Sequence, residues 1–134
     1  MRVVIDTNVL ISAIFWTGRP KQLLNSVRRG DIMFLTSPAL LDDLRAILTR
    51  PDKSFRLAVG DVDRVVTAMR HLAEMVQTYT HVVVCRDEAD NRVLECAIDG
   101  QAKWIVTGDR GLLELPSFRE IRIATVADFS RLTG

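Results

Sequence analysis

The chain has 134 residues, 48% of them hydrophobic, and its 18 basic and 17 acidic residues leave a net charge of +1. That length suits one domain, expected to span 1–134, with a real core. Charge interrupts each apolar run short of a membrane span, and Met1-Arg2-Val3-Val4-Ile5-Asp6 meets an acid too early for a secretory leader, so a soluble, cytoplasmic protein is expected. Two cysteines, Cys85 and Cys96, and two histidines, His71 and His81, are too few for a disulfide framework, a zinc ribbon or histidine-based hydrolysis.

Arg2-Val3-Val4-Ile5 is a short β-branched run that predicts a buried first strand. Asp6-Thr7-Asn8 then offers groups that bond to free amides at a helix start, and Val9 to Phe15 continue as that helix until Thr17-Gly18-Arg19-Pro20 breaks it. From Pro20 to Arg29, Leu23, Leu24 and Val27 recur at helical spacing, with Gly30 as the stop. Ile32 to Leu35 reads as the second strand. Ser37 caps the next helix with Pro38 at its first position. That helix buries Leu40, Leu41, Leu44, Ile47 and Leu48 and ends near Arg50-Pro51.

Asp52 to Gly60 reads as a linker or short turn. Asp61 is placed to cap a helix through Val62, Val65, Val66, Met69 and Leu72, closing at Met75 and Val76. Thr80 to Val84 predicts the third strand. Arg86-Asp87-Glu88-Ala89-Asp90-Asn91 opens a helix with Val93, Leu94, Ala97 and Ile98 on its apolar face and Gly100 at its end. Trp104 to Thr107 reads as the fourth strand and runs into Gly108-Asp109. Leu112, Leu113 and Leu115 form a short helix or turn ended by Pro116, and a strand over Ile121 to Ala124 and a helix over Val126 to Leu132 finish the chain. Strands alternating with helices imply right-handed parallel crossovers: an α/β fold, three-layer α/β/α, with a central, mainly parallel sheet of four to five strands.

In such a fold ligands gather outside the carboxyl ends of the strands, near a switch in strand order. Asp6 follows the first strand, Asp109 follows the fourth, and Asp90 lies in the first turn of the helix after the third. Asp43 lies inside the helix after the second strand. Leu40 three residues before it and Ile47 four after put it beside the sheet-facing stripe, while Asp42 points about 100° away. Carboxylates packed together repel unless a cation neutralises them, and an all-oxygen site suits Mg²⁺ or Mn²⁺, one ion or two. Each acid also has a structural use: Asp6, Asp87 and Asp109 could cap helices, and Asp90 gains from a helix dipole without any metal. Thr7, Asn8 and Thr107 are either supports that orient the acids or turn formers. Asn91 and Glu88 read as solvating the helix start, and Ser12 as a more remote support. Arg19, Arg28, Arg29, Arg45, Arg50, Arg56 and Arg64 crowd the first half with Lys21 and Lys53, as a phosphate-facing patch or as ordinary surface.

Together these stretches resemble the PIN domain, in particular its compact bacterial toxin-like ribonucleases. The matching segments are Val4-Ile5-Asp6-Thr7-Asn8-Val9-Leu10, Ser37-Pro38-Ala39-Leu40-Leu41-Asp42-Asp43-Leu44, Arg86-Asp87-Glu88-Ala89-Asp90-Asn91 and Ile105-Val106-Thr107-Gly108-Asp109. The resemblance implies a PIN-like fold and a ribonuclease dependent on Mg²⁺ or Mn²⁺. Its four acids fall on Asp6, Asp43, Asp90 and Asp109, with Asp87 as an additional acid common in this group. The second acid is usually glutamate in such proteins, so Asp43 is one methylene short. The implied partners are single-stranded or structured RNA, a small antitoxin protein and a second copy of the chain as a homodimer.

Two other readings compete. A phosphatase of the haloacid-dehalogenase type needs an aspartate two residues after its nucleophile, where Asn8 stands, and a response-regulator receiver needs an acid arrangement that this order lacks. A catalytically weak PIN-like module that binds RNA or protein is the non-enzymatic alternative. The 6% aromatic content argues against base stacking as its means of binding, though not against phosphate contacts.

Overall fold

The computed structural model describes residues 1–50, 57–115 and 117–134. In chain order the elements are β1 (Arg2–Ile5), α1 (Thr7–Phe15), α2 (Arg19–Arg28), β2 (Met33–Thr36), α3 (Pro38–Leu48), α4 (Val59–Leu72), β3 (Glu74–Met75), α5 (Glu88–Asp99), β4 (Trp104–Val106), α6 (Arg110–Leu113), β5 (Ser117–Phe118), β6 (Ile121–Ala124) and α7 (Val126–Thr133). Among the described residues the strands form one six-stranded sheet in the order β3-β2-β1-β4-β6-β5. Neighbours run parallel except β5 and β6, which form an antiparallel edge pair. The mostly parallel, three-layer architecture expected from the alternating pattern is therefore present.

Strand periodicity explains the layers. Val3 and Ile5 of β1 join a buried cluster with side chains of α1 to α4 and α7, whereas Val4, between them, joins the opposite cluster with Leu35 and the apolar face of α5. Successive side chains of a strand point to opposite faces, so one short run serves both cores. The topological consequence matters most for function. β1 pairs with β2 on one side and β4 on the other, so the order reverses around β1 and a crevice opens where the chain leaves β1 and β4.

Local chemistry sets several boundaries as expected. Ser37 accepts a hydrogen bond from the Leu40 amide at 3.3 Å with Pro38 following, and Gly100 ends α5. Three expectations are corrected. The helix α4 begins at Val59 with Ala58 at its cap, so Asp61 lies inside the first turn; there it favours the helix dipole and pairs with Arg64 rather than capping. That helix closes at Leu72, and Glu74–Met75 turn into a sheet strand on β2, with Glu74 gripped by Arg2 at 2.5 Å. Residues 51–56 and Pro116 lie outside the described residues, and so do the stop at Pro116 and most of the linker or turn expected over Asp52 to Gly60, whose last two residues, Val59 and Gly60, belong to α4.

The largest correction concerns Thr80 to Val84, which is not a strand. Its β-branched composition suits one, but its amides are spent on side chains of α5. Asp99 accepts from the Tyr79 and Thr80 amides at 2.6 and 2.8 Å, Glu95 from Val82 at 2.9 Å, and Asn91 from Val84 and Cys85 at 3.1 and 2.7 Å. Asn91, Glu95 and Asp99 recur every fourth residue and so share one helix face. They hold residues 79–85 as an irregular strap along α5, satisfying donors that a sheet would otherwise take.

Candidate metal centre

Asp6 caps α1 directly after β1. One carboxylate oxygen accepts from the Thr7 amide at 2.7 Å and the other from the Thr107 hydroxyl at 2.7 Å, and the side chain is buried. Thr107 follows β4 and also accepts, on the same hydroxyl oxygen, from the Asp109 amide at 2.9 Å. Pairing of β1 with β4 thus places Thr107 between two acids 103 residues apart in the chain. Thr107, expected as a support of the acids or a turn former, holds the Asp109 backbone through its amide and the Asp6 side chain through a carboxylate oxygen. Asp109 in turn caps the short helix α6, accepting from the Leu112 amide at 3.2 Å.

The first turn of α5 brings the remaining charges. Asp87 caps the helix, accepting from the Ala89 amide at 3.0 Å. Asp87, Asp90 and Asp109 each offer a carboxylate oxygen, and these atoms lie within 4.8 Å of one another. Asp87 was read as either cap or site residue, and its geometry serves both.

One cleft of about 310 Å³ is lined by Asp6, Asp43, Asp87, Asp90 and Asp109, with Thr7 and Asn8 on its wall. Asp43 is half-buried and faces this cleft beside Ile47 while Asp42 is exposed, as the helical spacing predicts. Asp6 and Asp43 stand outside the tight group of three, though both line the same space.

The supports divide by mechanism. Thr7 acts through its backbone amide, Asn8 is exposed on the cleft wall, and Ser12 lies in a neighbouring pocket. Asn91 corrects the expectation that it only solvates the helix start. It is buried, accepts from two strap amides and donates to the Cys85 carbonyl at 3.0 Å. Glu88 is exposed.

One residue at the cleft had no sequence signal, and a second, Arg50, stood out only as one of the arginines crowding the first half. Gly111 of α6 runs beneath the acids, and a Cβ there would lie 2.9 Å from an Asp90 oxygen and 3.1 Å from an Asp109 oxygen. Arg50 lines the cleft, whereas Arg45, Arg64 and Arg29 are tied to Asp63, Asp61 and Asp31. The arginine-rich first half therefore contributes one cation to the cleft among its described residues.

Electrostatics follow from the crowding. Burial, a hydrogen bond to Asp109 and the charges of Asp109, Asp87 and Asp6 push the Asp90 carboxyl up to about 8. Burial also raises Asp6, against the hydrogen bonds from Thr107 and Thr7 and together with the charges of Asp109 and Asp43. Like charges in a desolvated cleft must hold a proton or a cation. Three oxygens at close range, all hard donors, fit a divalent ion of the Mg²⁺ or Mn²⁺ type.

Comparison with known proteins agrees with this fold. The sequence profile of the PIN domain matches residues 2–111. The uncharacterized protein MJ1680 of Methanocaldococcus jannaschii is 34% identical over 119 residues, covering 86% of this chain and 75% of that protein. In fold, the chain is similar to one in the crystal structure of VapBC2 from Rickettsia felis bound to a DNA fragment from its promoter, with a TM-score of 0.64, 12% identity and coverage of 92% of this chain and 97% of that one. Among the described residues no helix is long and apolar enough to cross a membrane.

Proposed function

On the premise that this chain belongs to the PIN domain family, we propose that it is a metal-dependent endoribonuclease that hydrolyses phosphodiester bonds of RNA. The observation that carries this reading is the cluster of Asp87, Asp90 and Asp109, whose oxygens lie within 4.8 Å of one another in a cleft shared with Asp6 and Asp43. Asp6, Asp87 and Asp109 each also cap a helix, but capping does not call for Asp90 and Asp43 to face the same crevice, and the repulsion among the five is relieved by a cation.

Asp90 and Asp109, with Asp87 and Asp6 beside them, would hold Mg²⁺ or Mn²⁺. When bound, that ion supplies charge neutralisation at the phosphoryl oxygens and acidifies water. Thr107 locks Asp6 and Asp109 in mutual register through its single hydroxyl. Asp43, which lines the cleft from α3, orients the attacking water and takes its proton. Arg50 offers a guanidinium to the phosphate that the surrounding acids would otherwise repel. Water adds to phosphorus as the bond to the 3′-oxygen breaks, leaving a 5′-phosphate and a 3′-hydroxyl.

A small antitoxin encoded nearby and a second copy of the chain are the protein partners of this reading; co-purification and the mass of the native protein test them. A catalytically weak RNA- or protein-binding module is the second reading. It draws on the position of Asp43 outside the close group of three and on its short side chain. One experiment separates the two. An unstructured RNA is incubated with the protein in Mg²⁺ or Mn²⁺, with chelator, and with Asp6→Asn and Asp90→Asn variants. Cleavage that needs metal and is lost in both folded variants is expected. Cleavage that persists in either variant would remove the acidic cleft as the site.

A further inference from the structure

The acid cleft does not end at Asp109. A second pocket of about 320 Å³ shares Asn8 and Asp109 with it and continues along Val9, Ser12, Pro20 and Arg110. Its composition is unlike that of the cleft. Among the described residues the cleft is lined by five carboxylates and one arginine. The second pocket has Asp109 alone on the shared wall and Arg110 as its cation. Arg110 is exposed, and among the described residues it enters no ion pair. Val9 and Pro20 give the pocket an apolar wall, while the Asn8 amide and the Ser12 hydroxyl can each donate and accept hydrogen bonds.

We propose that this second pocket is a nucleotide subsite, which seats the nucleoside adjoining the scissile phosphodiester while Arg110 binds that nucleoside's outer phosphate. The proposal rests on the ribonuclease reading, because it names the path of that polymer out of the cleft. Three properties carry it. The pocket is continuous with the cleft through two shared residues, and a polymer cleaved in the cleft must occupy neighbouring space. Its charge is complementary: phosphates flanking the scissile one are repelled by the acids and find a guanidinium where the acids thin out. Its walls combine apolar contact with neutral hydrogen-bonding groups and, among the described residues, no aromatic ring, so a sugar and base are held there by those contacts rather than by stacking. A peptide from a partner protein could also lie in such a groove, but the unpaired cation beside a phosphodiester-cleaving centre favours the nucleic acid.

The test uses the full chain with Arg110→Gln and Ser12→Phe, the first removing the cation and the second filling the pocket. Binding of a fluorescein-labelled oligouridylate is followed by anisotropy against salt in an Asp90→Asn background, and Mn²⁺ affinity by calorimetry in the parent background. Turnover of the oligonucleotide is compared with that of a small diester, bis(p-nitrophenyl) phosphate, which has neither the nucleoside nor the outer phosphate that the second pocket would hold. Arg110→Gln is expected to weaken oligonucleotide binding by roughly tenfold and to lower the salt slope by about 0.7, the value of one phosphate contact on a single strand. Ser12→Phe should lower the ratio of kcat/KM for oligonucleotide over small diester by a similar factor, mainly through KM, with Mn²⁺ affinity retained. Unaltered binding and slope in Arg110→Gln, or an equal fall for oligonucleotide and small diester, would overturn the subsite. So would an Arg110 effect confined to a co-purified protein. A parent protein that binds the oligonucleotide through Arg110 yet never cleaves it defeats the ribonuclease reading and leaves the subsite standing; one that neither binds nor cleaves defeats both.

Discussion

The two ends of α5 carry the same kind of side chain in opposite electrical circumstances. Along its body, Asn91, Glu95 and Asp99 each accept amides of the strap over residues 79–85. Against the burial that would raise it, hydrogen bonds from Thr80 and Tyr79 and the charge of Arg119 hold Asp99 below the ordinary carboxylate value. At the first turn, burial and the neighbouring carboxylates of Asp109, Asp87 and Asp6 drive Asp90 up to about 8. An acid with its own amides stabilises a fold; an acid facing other acids costs stability and is retained for what it can bind.

Removing Asp90 should separate the two ends most sharply. Asp90→Asn is expected to lower RNA cleavage by roughly a thousandfold, the scale of losing a group that stabilises charge in the transition state. The same variant should melt higher than the parent without metal at about pH 8, since it deletes a desolvated charge. A thermal melt showing it clearly less stable would mean that Asp90 is a structural acid like Asp99, and the contrast would collapse.

Acidity gives the next largest effect, with opposite signs at the two ends. The folded Asp90 carboxyl lies near 8 against about 3.9 in an unfolded chain. Its protonated form therefore stabilises the metal-free protein below about pH 4, and that contribution is lost as pH rises toward 8. Asp99 is depressed, so its contribution is present above about pH 4 and is lost as pH falls through its folded value. Metal binding must displace the Asp90 proton, so Mn²⁺ affinity should rise by about tenfold per unit between about pH 6 and 8, then level. Calorimetry in buffers of different ionisation enthalpy would detect the released proton; a flat affinity over that range would show that the proton is not on a ligand.

The strap-holding face of α5, which begins at Asn91 beside Asp90, answers to a different substitution. Asn91→Ala leaves two strap amides and the Cys85 carbonyl without their partner, and a loss of about 2 kcal/mol is expected in denaturant unfolding. Hydrogen exchange should speed at Val84 and Cys85 first. If the protection of those amides survives, the strap is held by its packing through Val82 rather than by Asn91.

This division was only partly legible in the sequence. Local signals worked where the cause is local: the β-branched run of β1, the Ser37-Pro38 start of α3 and the Gly100 stop depend on neighbours in the chain. The acids that follow β1 and β4 could be placed because the carboxyl ends of parallel strands are a property of the topology. Thr80 to Val84 misled because β-branched residues announce an extended backbone but not its partner, which turned out to be the side chains of α5. β3 and β5, each two residues long, carry too little pattern to stand out, and Asp61 looked like a cap because the helix start two residues earlier has no capping side chain. Gly111 and Arg50 reach the cleft only through packing between elements distant in sequence, which periodicity does not encode.

The smallest effect is the most informative about the edge of the acid end. Asp43 lines the cleft from α3 but lies outside the group of close oxygens. Asp43→Glu extends the carboxylate by one methylene toward that group from a half-buried position, so it should not disturb the core. A two- to threefold gain in cleavage is expected, about 0.5 kcal/mol of transition-state stabilisation, with Mn²⁺ affinity rising in step if the longer side chain reaches the ion. A gain in turnover without a gain in affinity would instead assign Asp43 to the attacking water. No change in either, together with full activity in Asp43→Ala, would move Asp43 out of the mechanism and leave the acids at the ends of β1 and β4 and the start of α5 to do the chemistry alone.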